Sequence, residues 1–329
     1  TNPAGTAPEN STVIEADASK GIVIKDKNNN EWVWVEVPKT TVFSDLTIDT
    51  TKELTEQNYT DIKDKLIEYV GVYREGKSGE GRYWTDEWYD GCALTSDAYA
   101  EAYQKMLKSV YTYGGFWIGR YEAGIEGSID DVSKARTLHA DITIGTSPKA
   151  VSQKDAIPYN WVYCSEAQAL AKEMTPNSNY TSSLMFGIQW DLVCKYLEVK
   201  GKLATANINS DSSAWGNYSN VGRTISSNKA KQTTNNGSTW TTITGTKPES
   251  SVLLTTGASE ETNKMNIYDF AGNEWEWTLE KTSSSDIPCA FRGGNYDNTG
   301  SNSPASDRGH NNTTFSYNDV GFRPTLYVN

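Results

Sequence analysis

Five amino-acid types are missing from the end of this chain. Residues 282–329 contain no Lys, Glu, Gln, Met or Trp, although these types supply 65 of the first 281 residues. Composition alone would place about eleven of them in the segment. A polar loop is one explanation, because loops rich in Asn, Ser and Gly avoid long charged side chains and Trp.

The second explanation is genetic. The five missing types are those that a codon ending in a pyrimidine cannot encode. The segment is instead rich in Asn, Tyr, Asp, His, Ser and Phe. An Asn codon yields these residues when its two adenines vary and its third base is kept. Composition by itself leaves both explanations open.

Basic residues are too few for some functions. The chain has 30 Lys and Arg against 42 Asp and Glu, which gives a net charge of -12 and a pI near 4.8. Nucleic acids and anionic membranes are bound through patches of Lys and Arg, so neither is expected as a partner. No apolar run is long enough to span a bilayer, and the chain begins at Thr1 without a signal peptide. We expect the mature or trimmed soluble portion of a protein, without membrane insertion.

Cysteine and histidine are scarce, which limits metal and thiol chemistry. His139 and His310 do not have the spacing of metal ligands. The four cysteines contain no CxxC pair and allow three disulfide pairings, so a thiol-bound metal is not expected. Buried free thiols and one or two disulfides both remain open. These cysteines are Cys92, Cys164, Cys194 and Cys289.

The spacing of apolar residues predicts the secondary structure of the first part of the chain. Residues 1–20 hold few large apolar side chains and are expected to be a flexible lead. Apolar runs on both sides of an Asn triplet in 21–37 predict a β-hairpin. Helices are predicted over 51–70 and 97–110.

Two more helices are predicted in the middle of the chain. One begins near Ser165, whose side chain would form a capping box with Gln168. The other covers about 187–198. Their buried faces are predicted to hold Ala167, Leu170, Ala171, Trp190, Val193, Cys194 and Leu197.

Aromatic residues mark two irregular regions, 81–92 and 200–262. We expect them to fill the core or to pin ordered loops, rather than to line a carbohydrate pocket. These residues are Trp84, Trp88, Tyr89, Trp215 and Trp240.

Short C-terminal motifs connect the chain to a known family. DFAGNEWEW at 269–277, FRGG at 291–294 and VGFRP at 320–324 resemble the C-terminal half of the formylglycine-generating enzyme, or sulfatase-modifying factor, family. Upstream segments are similar to the opening strands and core helices of that family; they lie at 31–37, 114–124, 157–174 and 185–197.

The resemblance implies the fold class and the domain organisation. It indicates an α+β protein with the C-type-lectin-like fold of the formylglycine-generating enzyme type, built from short strands, two core helices and much irregular loop. Residues 21–329 would form one such domain. Within it, 38–113 and 200–262 would be decorations, and 289–325 would be the variable region.

The catalytic residues of that family are missing. Its oxidase members bind copper through two cysteines shortly after the GG dipeptide, whereas this chain has Asn298 and Ser303 near those places. Members that form sulfur–carbon bonds use an iron site built from several histidines. We therefore expect neither enzymatic activity nor a catalytic cofactor.

With this scaffold and a C-terminal segment limited to the residue types of pyrimidine-ended codons, the chain resembles the variable proteins of diversity-generating retroelements. In these systems, reverse transcription copies adenines errantly into the end of a gene. The resemblance implies a ligand-binding protein, receptor-like or adhesin-like, on a cell or phage surface, with an unknown protein or glycan as partner. Tyr and Phe suit such a surface because they offer broad contact with few torsions, while Asn, Ser and Asp offer adaptable hydrogen bonds. The expected ligand-binding residues are Phe291, Asn295, Tyr296, Asp297, Asn298, Asn302, Asp307, His310, Asn311, Asn312, Phe315, Tyr317, Asn318 and Asp319.

Other interpretations stay open. The chain could be a formylglycine-generating type of enzyme with a lost or altered site. It could also be a structural surface or appendage subunit, pilin-like or part of a phage fibre, whose polar tail is an ordinary loop. Phe291 also fits a core strand.

A structural calcium ion is implied by the resemblance. In the family, the segment that matches DFAGNEWEW wraps calcium, which would place the Asp269 and Glu276 carboxylates and the Gly272 and Glu274 carbonyls around the ion. Hard oxygen ligands suit calcium. The alternative is that Asp269 and Glu276 stabilise turns.

Overall fold

The structure, a computed structural model, describes residues 3–75 and 84–329. The helices within these residues are α1 (Lys39–Val42), α2 (Glu56–Val70), α3 (Val72–Glu75), α4 (Ser96–Tyr113), α5 (Cys164–Glu173), α6 (Gly187–Val199) and α7 (Thr205–Asn209). Short 3-10 helices occupy Pro3–Thr6, Val132–Lys134 and Glu260–Thr262.

The strands are short and spread along the chain. They are β1 (Thr12–Glu15), β2 (Val23–Lys25), β3 (Glu31–Glu36), β4 (Trp84–Thr85), β5 (Gly115–Gly119), β6 (Gly124–Ile125), β7 (Ala150–Val151), β8 (Tyr180–Leu184), β9 (Arg223–Thr224), β10 (Lys231–Thr233), β11 (Thr241–Thr242), β12 (Thr246–Lys247), β13 (Leu253–Leu254), β14 (Trp275–Thr282), β15 (Cys289–Arg292), β16 (Arg308–Asn311), β17 (Val320–Phe322) and β18 (Pro324–Val328).

Two sheets organise the molecule. The first is antiparallel with strand order β1-β2-β3-β5-β18-β8, so the C-terminal strand lies between strands from distant parts of the sequence. The second has the order β16-β15-β14-β17, with β4 also pairing with β14. In it, β17 runs parallel to β14 and β15 runs antiparallel to β14. The C-terminal motifs therefore meet in the second sheet, and the α+β class is confirmed.

Helices cover these sheets through their apolar faces. The helix α4 packs on β5 and β18, α5 packs on β8, and α6 packs on α2 and β14. Burying one large apolar side chain stabilises the fold by about 1.5–3 kcal/mol. Packing under the helices therefore compensates for the few backbone hydrogen bonds of each short strand. The residues predicted for the buried faces of α5 and α6 are all buried: Ala167, Leu170, Ala171, Trp190, Val193, Cys194 and Leu197.

The predicted hairpin and the first predicted helices are confirmed. Strands β2 and β3 pair across the Asn triplet, where Asn29 has a φ of 64°. The helix α2 starts later than predicted because Thr55 caps it, its hydroxyl accepting from the Asn58 N–H at 3.2 Å. The helix α4 extends beyond 97–110 at both ends.

The predicted flexible lead is instead partly ordered. Within 1–20, strand β1 pairs with β2. Thr6 is buried, and its hydroxyl accepts from the Trp117 indole N–H at 3.2 Å. Val13 and Ile14 in β1 remain exposed. The strand therefore gains order from backbone hydrogen bonds at a sheet edge, which composition does not reveal.

The start of α5 differs from the prediction. The helix begins at Cys164, and the Glu166 carboxylate accepts from the Tyr163 N–H at 2.9 Å. Ser165 lies inside the helix and is not its cap. The Gln168 side chain is buried and accepts from the Leu184 N–H at 2.9 Å, so it ties α5 to β8. Gln168 therefore makes a buried tertiary contact instead of the capping interaction that the local sequence pattern predicts.

The irregular regions are pinned by aromatic side chains. Trp215 and Trp240 are buried within 200–262, where the short strands β9 to β13 form. Tyr89 is buried and lies 3.2 Å from the Cys164 sulfur, whereas Trp88 is exposed. Residues 81–83 of the aromatic loop lie outside the described residues.

The cysteines are unpaired thiols in this structure. All four are buried. Among the described helices, none combines the length and the apolar character that a membrane span requires.

Arg323 joins the two sheets at the end of the chain. It lies between β17 and β18, fully buried. Its guanidinium binds the Glu276 carboxylate of β14 through two nitrogens at 2.8 and 3.1 Å. The same guanidinium donates to the Gly119 carbonyl of β5 at 3.0 Å and to the Tyr268 carbonyl at 2.8 Å. One side chain thereby links both sheets and the segment before β14.

Removing this charge pair should destabilise the whole domain. We expect Glu276→Gln to lower the free energy of unfolding at pH 8 by about 3–5 kcal/mol, because Arg323 would remain buried without its counter-charge. The measurement is urea unfolding followed by tryptophan fluorescence. The matched control is Glu101→Gln, which removes the exposed pair with Lys105 at 2.7 Å. This control should change the free energy by less than about 0.5 kcal/mol. Equal effects of the two variants would contradict the role of Arg323.

Candidate ligand-binding face

The C-terminal segment is anchored by a tight turn after β15. Gly293 and Gly294 both have positive φ, 96° and 76°. A Cβ on Gly294 would come within 2.4 Å of the Ser303 carbonyl oxygen, and one on Gly293 would come within 3.0 Å of the Phe270 carbonyl oxygen. The turn therefore requires glycine at both positions.

A buried network of charges holds the strands beside this turn. Asp191 of α6 and Glu280 of β14 are the two carboxylates, and Arg292 and Arg308 each bind both of them. The shortest contacts are 2.8 Å from Arg292 to Asp191 and 2.6 Å from Arg308 to Glu280. Arg74 adds contacts of 3.0 Å to Asp191 and 2.9 Å to Glu280. We call these five residues the ion network.

The ion network sets the ionisation of its own carboxylates. Burial alone would raise the pKa of Glu280, but Arg308, Arg292 and Arg74 outweigh burial and lower this pKa to about 2. Glu280 is therefore charged at neutral pH, and it fixes β16 against β15 and α6.

The predicted binding residues differ in exposure. Phe291, Asn295, Tyr296 and Asn318 are buried. Six are half-buried: Asn298, Asp307, His310, Asn311, Phe315 and Asp319. The exposed ones are Asp297, Asn302, Asn312 and Tyr317.

The structure brings the aromatic members together. Phe315 stacks between Phe291 and Tyr317, with ring centroids 6.4 Å apart on each side. The Tyr317 ring also lies 5.3 Å from the ring of Trp161. Phe291 forms the base of the cluster through edge contacts with tryptophans of β14. We call Trp161, Phe315 and Tyr317 the aromatic face.

Polar members support this face from below. The Asn318 amide donates to the Tyr296 hydroxyl, and the Asn295 amide donates to the Asp319 carboxylate. Asn160 reaches the same place, since its amide donates to the Asn318 carbonyl at 2.9 Å. These side chains fix the loop on which the aromatic face stands.

Other predicted residues lie elsewhere. Along β16, Gly309 is opposite Phe291 and Asn311 is opposite Cys289, so β16 leads away from the aromatic face. The His310 ring lies 5.8 Å from that of Trp84. Asp307 accepts from Arg292 through its carbonyl at 3.2 Å. Asn302 closes a separate turn at 299–303.

The remaining members occupy loops between these regions. The Asp297 carboxylate accepts from the Ser251 hydroxyl, and Asn312 follows β16. Asn298 accepts through its side chain from the Asn295 N–H at 3.1 Å. The fourteen residues therefore form one compact aromatic group and several separate polar positions.

Other segments contribute residues to the face that the sequence does not predict. Trp161 precedes α5 and has a φ of 55°, which is an outlier for a bulky residue. Its N–H donates to the Tyr317 carbonyl at 3.0 Å. Asn236, from the 200–262 region, accepts from the Asn318 amide at 3.2 Å. Only tertiary contact identifies these residues, since both lie far from the C-terminal segment.

The predicted calcium donors are already engaged by protein groups. The Asp269 carboxylate accepts from the Gly257 N–H at 2.7 Å and from the Thr262 hydroxyl at 2.8 Å. Both oxygens of Glu276 bind Arg323. Because Arg323 neutralises Glu276 and engages both of its oxygens, this carboxylate does not fit a calcium ion as arranged. Calcium binding stays an untested prediction.

Two further carboxylates are buried beside this segment. Glu122 accepts from the Asn273 amide at 2.7 Å and from the Glu274 N–H at 3.1 Å. Glu274 accepts from the Asn160 amide at 2.9 Å, and a Cβ on Gly321 would come within 2.1 Å of its other oxygen. Burial raises the pKa of Glu122 and of Glu274 well above the ordinary 4.5. Gly321 in the VGFRP motif is therefore needed to make room for a buried acid.

Comparison with known proteins identifies one family. A family model described as the sulfatase-modifying factor enzyme 1-like domain matches residues 151–326, more than half of the chain. The match confirms the predicted C-type-lectin-like fold class. Among solved structures, CarF is similar with 14% identity and a TM-score of 0.40, over 66% of this chain and 87% of its own. Treponema denticola variable protein 1 has 14% identity and a TM-score of 0.35, over 65% and 85%. No curated protein matches.

The buried carboxylates predict that stability falls as the pH rises. Burial raises the pKa of Glu122 and of Glu274 well above the ordinary 4.5. The unfolded carboxyl titrates near its ordinary value, so the stabilising contribution is complete below pH 4.5. It is lost as the pH rises through the folded pKa. Glu280, whose pKa is lowered to about 2, acts in the opposite direction only at acid pH.

Urea unfolding at pH 5, 6.5 and 8 tests this expectation. We expect the free energy of unfolding to decrease from pH 5 to pH 8, and Glu274→Gln to flatten the decrease by removing one titrating group. A constant or increasing free energy over this range would show that these carboxyls are ionised in the folded protein at pH 5.

Proposed function

The chain belongs to the sulfatase-modifying factor enzyme 1-like family, and on this premise we propose that it is a non-catalytic ligand-binding protein whose C-terminal surface is diversified by a retroelement. One observation carries the proposal. Residues 282–329 contain only residue types that pyrimidine-ended codons can encode, and the segment is anchored by arginines that bind buried carboxylates.

Anchoring makes the exposed positions tolerant of change. Arg292 and Arg308 are bound by the ion network, and Arg323 is bound by Glu276. The exposed Asp297, with Asn302, Asn312 and Tyr317, contributes little to that core. Surface substitutions of this kind usually change the free energy of unfolding by less than about 0.5 kcal/mol. Diversification at such positions leaves the fold intact.

The chemistry of the face suits recognition. Tyr317 is 46% exposed and is stacked against Phe315 and Trp161, so its ring is presented with little freedom to lose on binding. Rigid aromatic rings surrounded by short polar side chains are also the composition of antibody paratopes. Trp161 supplies a fixed anchor at the border of the variable segment.

The positions of the family's catalytic cysteines serve structure in this chain. Asn298 lies where one cysteine is expected, and its carbonyl accepts from the Ser219 N–H at 2.9 Å. Ser303 lies near the other, and its carbonyl accepts from the Tyr218 hydroxyl at 2.8 Å. The backbone of both residues helps to hold the loop, and neither side chain supplies the thiol that the family's oxidase chemistry uses.

The partner is proposed to be a protein or a glycan. The net charge of -12 disfavours nucleic acid. A diversified face has no inherited specificity, so the ligand varies with the sequence of the segment. Display on a cell or phage surface follows from this function.

Two matched libraries test the proposal. The first varies exposed and half-exposed positions with an Asn codon whose adenines are randomised, at Asp297, Asn302, Asn312, Phe315 and Tyr317. The second applies the same codon to buried positions of the same segment, at Asn295, Tyr296, Ser303, Ala305 and Asn318. Both libraries are displayed on yeast, treated with protease to remove unfolded clones, and selected against immobilised lysozyme as a probe protein.

We expect the first library to keep most clones folded and to yield lysozyme binders. The second should lose most clones to protease, because each buried substitution costs about 1–3 kcal/mol. Equal survival of both libraries would contradict the division between anchor and face. Loss of the first library would identify the segment as an ordinary structural loop.

A further inference from the structure

A histidine and two carboxylates converge next to the aromatic face. His139 and Asp141 lie in the loop before β7, and Glu166 lies in the first turn of α5. One ligand atom from each of these residues lies within 4.8 Å of the others. In the part of the chain that the structure describes, this is the only such group of three His, Cys, Asp or Glu side chains.

The spacing of the donors matches shared coordination. The His139 Nε2 atom lies 3.2 and 3.1 Å from the two Glu166 oxygens. Zinc binds imidazole nitrogen and carboxylate oxygen at about 2.0–2.2 Å, so neighbouring donors on one ion lie about 3.0–3.5 Å apart. The present geometry therefore needs little rearrangement to accept an ion between His139 and Glu166.

The donors are held before any ion arrives. The His139 ring stacks on the Tyr163 ring at 3.8 Å with an interplanar angle of 13°. The Glu166 carboxylate accepts from the Tyr163 N–H at 2.9 Å and from the Ile142 N–H at 3.1 Å. Tyr163 thereby orients both ligands. Asp141 is exposed, and its carboxylate lies within 4.8 Å of the other two ligand atoms. Fixed ligands reduce the ordering cost of binding an ion.

The charge of the cluster favours a cation. Two carboxylates are present, and the nearest guanidinium is that of Arg136, which donates to the Ala140 and Trp161 carbonyls at 2.6 and 2.9 Å. These bonds direct Arg136 toward backbone oxygens. One imidazole with two carboxylates is a donor set for borderline divalent metals, zinc above all.

We propose that His139, Asp141 and Glu166 form a zinc site at the border of the aromatic face. Three protein ligands leave a fourth position for water or for a donor from a bound partner. Because Arg136 bridges the metal loop and the Trp161 carbonyl, an ion at this site also fixes the loop that supports Trp161. Metal binding at this site thus helps to fix the position of Trp161.

Calorimetric titration of the full chain with zinc chloride tests the site. The variants are His139→Gln and Asp141→Asn, and the control is Asp130→Asn, which removes another exposed carboxylate from the segment between β6 and β7. We expect the wild-type protein and the control to bind one zinc ion with the same affinity. Each ligand variant should bind at least about tenfold more weakly.

Asp141→Asn keeps the test valid if His139→Gln disturbs the fold, because Asp141 is exposed. Thermal melting without zinc verifies that each variant is folded. Zinc binding of unchanged affinity in both variants would place the ion elsewhere, for example at the buried thiols, and would overturn the proposal. Absence of zinc binding by the wild-type protein would overturn it as well.

Discussion

Two buried carboxylates, Asp191 and Glu280, hold the C-terminal half of this molecule in place. Each is bound by Arg292, by Arg308 and by Arg74 of α3, and Arg74 also pairs with Asp86 at 3.3 Å, which balances the third positive charge. An unpaired charge at such a depth costs several kcal/mol, so none of the three arginines can leave without disrupting the others. The network therefore fixes strands β15 and β16 by charge and geometry. The exposed side chains of the loops between and after them carry little of the packing, whereas Asn295, Tyr296 and Asn318 in the same loops are buried. This division is the physical condition for a surface that changes while the fold does not.

The closing strands β17 and β18 are anchored in the same way. Arg323 and Glu276 form a second buried pair, and glycines appear where a side chain would collide with a carbonyl or a buried acid, as at Gly294 and Gly321. The motifs that define the family are thus the anchoring parts. The aromatic face stands on loops between these anchors, with Trp161 joining it from outside the C-terminal segment. Buried anchors and exposed side chains are thus different residues of one short stretch of chain.

Much of the scaffold could be predicted from sequence, because apolar periodicity and family motifs report directly on buried faces. The hairpin around Asn29 and the faces of α5 and α6 follow from such patterns. Order in the first twenty residues could not be predicted, since β1 is held by backbone pairing and leaves Val13 exposed. The candidate site was predictable as a segment but not residue by residue. The residue types of the segment do not distinguish Tyr296, which is buried under Asn318, from Tyr317, which is exposed. Tertiary partners decide that difference.

The diversified surface is proposed to consist of exposed positions within 289–325, on an ion-paired scaffold. Sequencing the DNA that flanks the gene tests this proposal most directly. The account predicts a near-copy of the 3′ end of the gene beside a reverse-transcriptase gene, differing from it at template adenines. Those differences should fall in codons for exposed positions such as Asp297, Asn312 and Tyr317, and should spare the codons of Arg292 and Arg323. A flank without such a copy, or a copy whose differences are spread over all four bases, would contradict diversification and would return the segment to an ordinary polar loop.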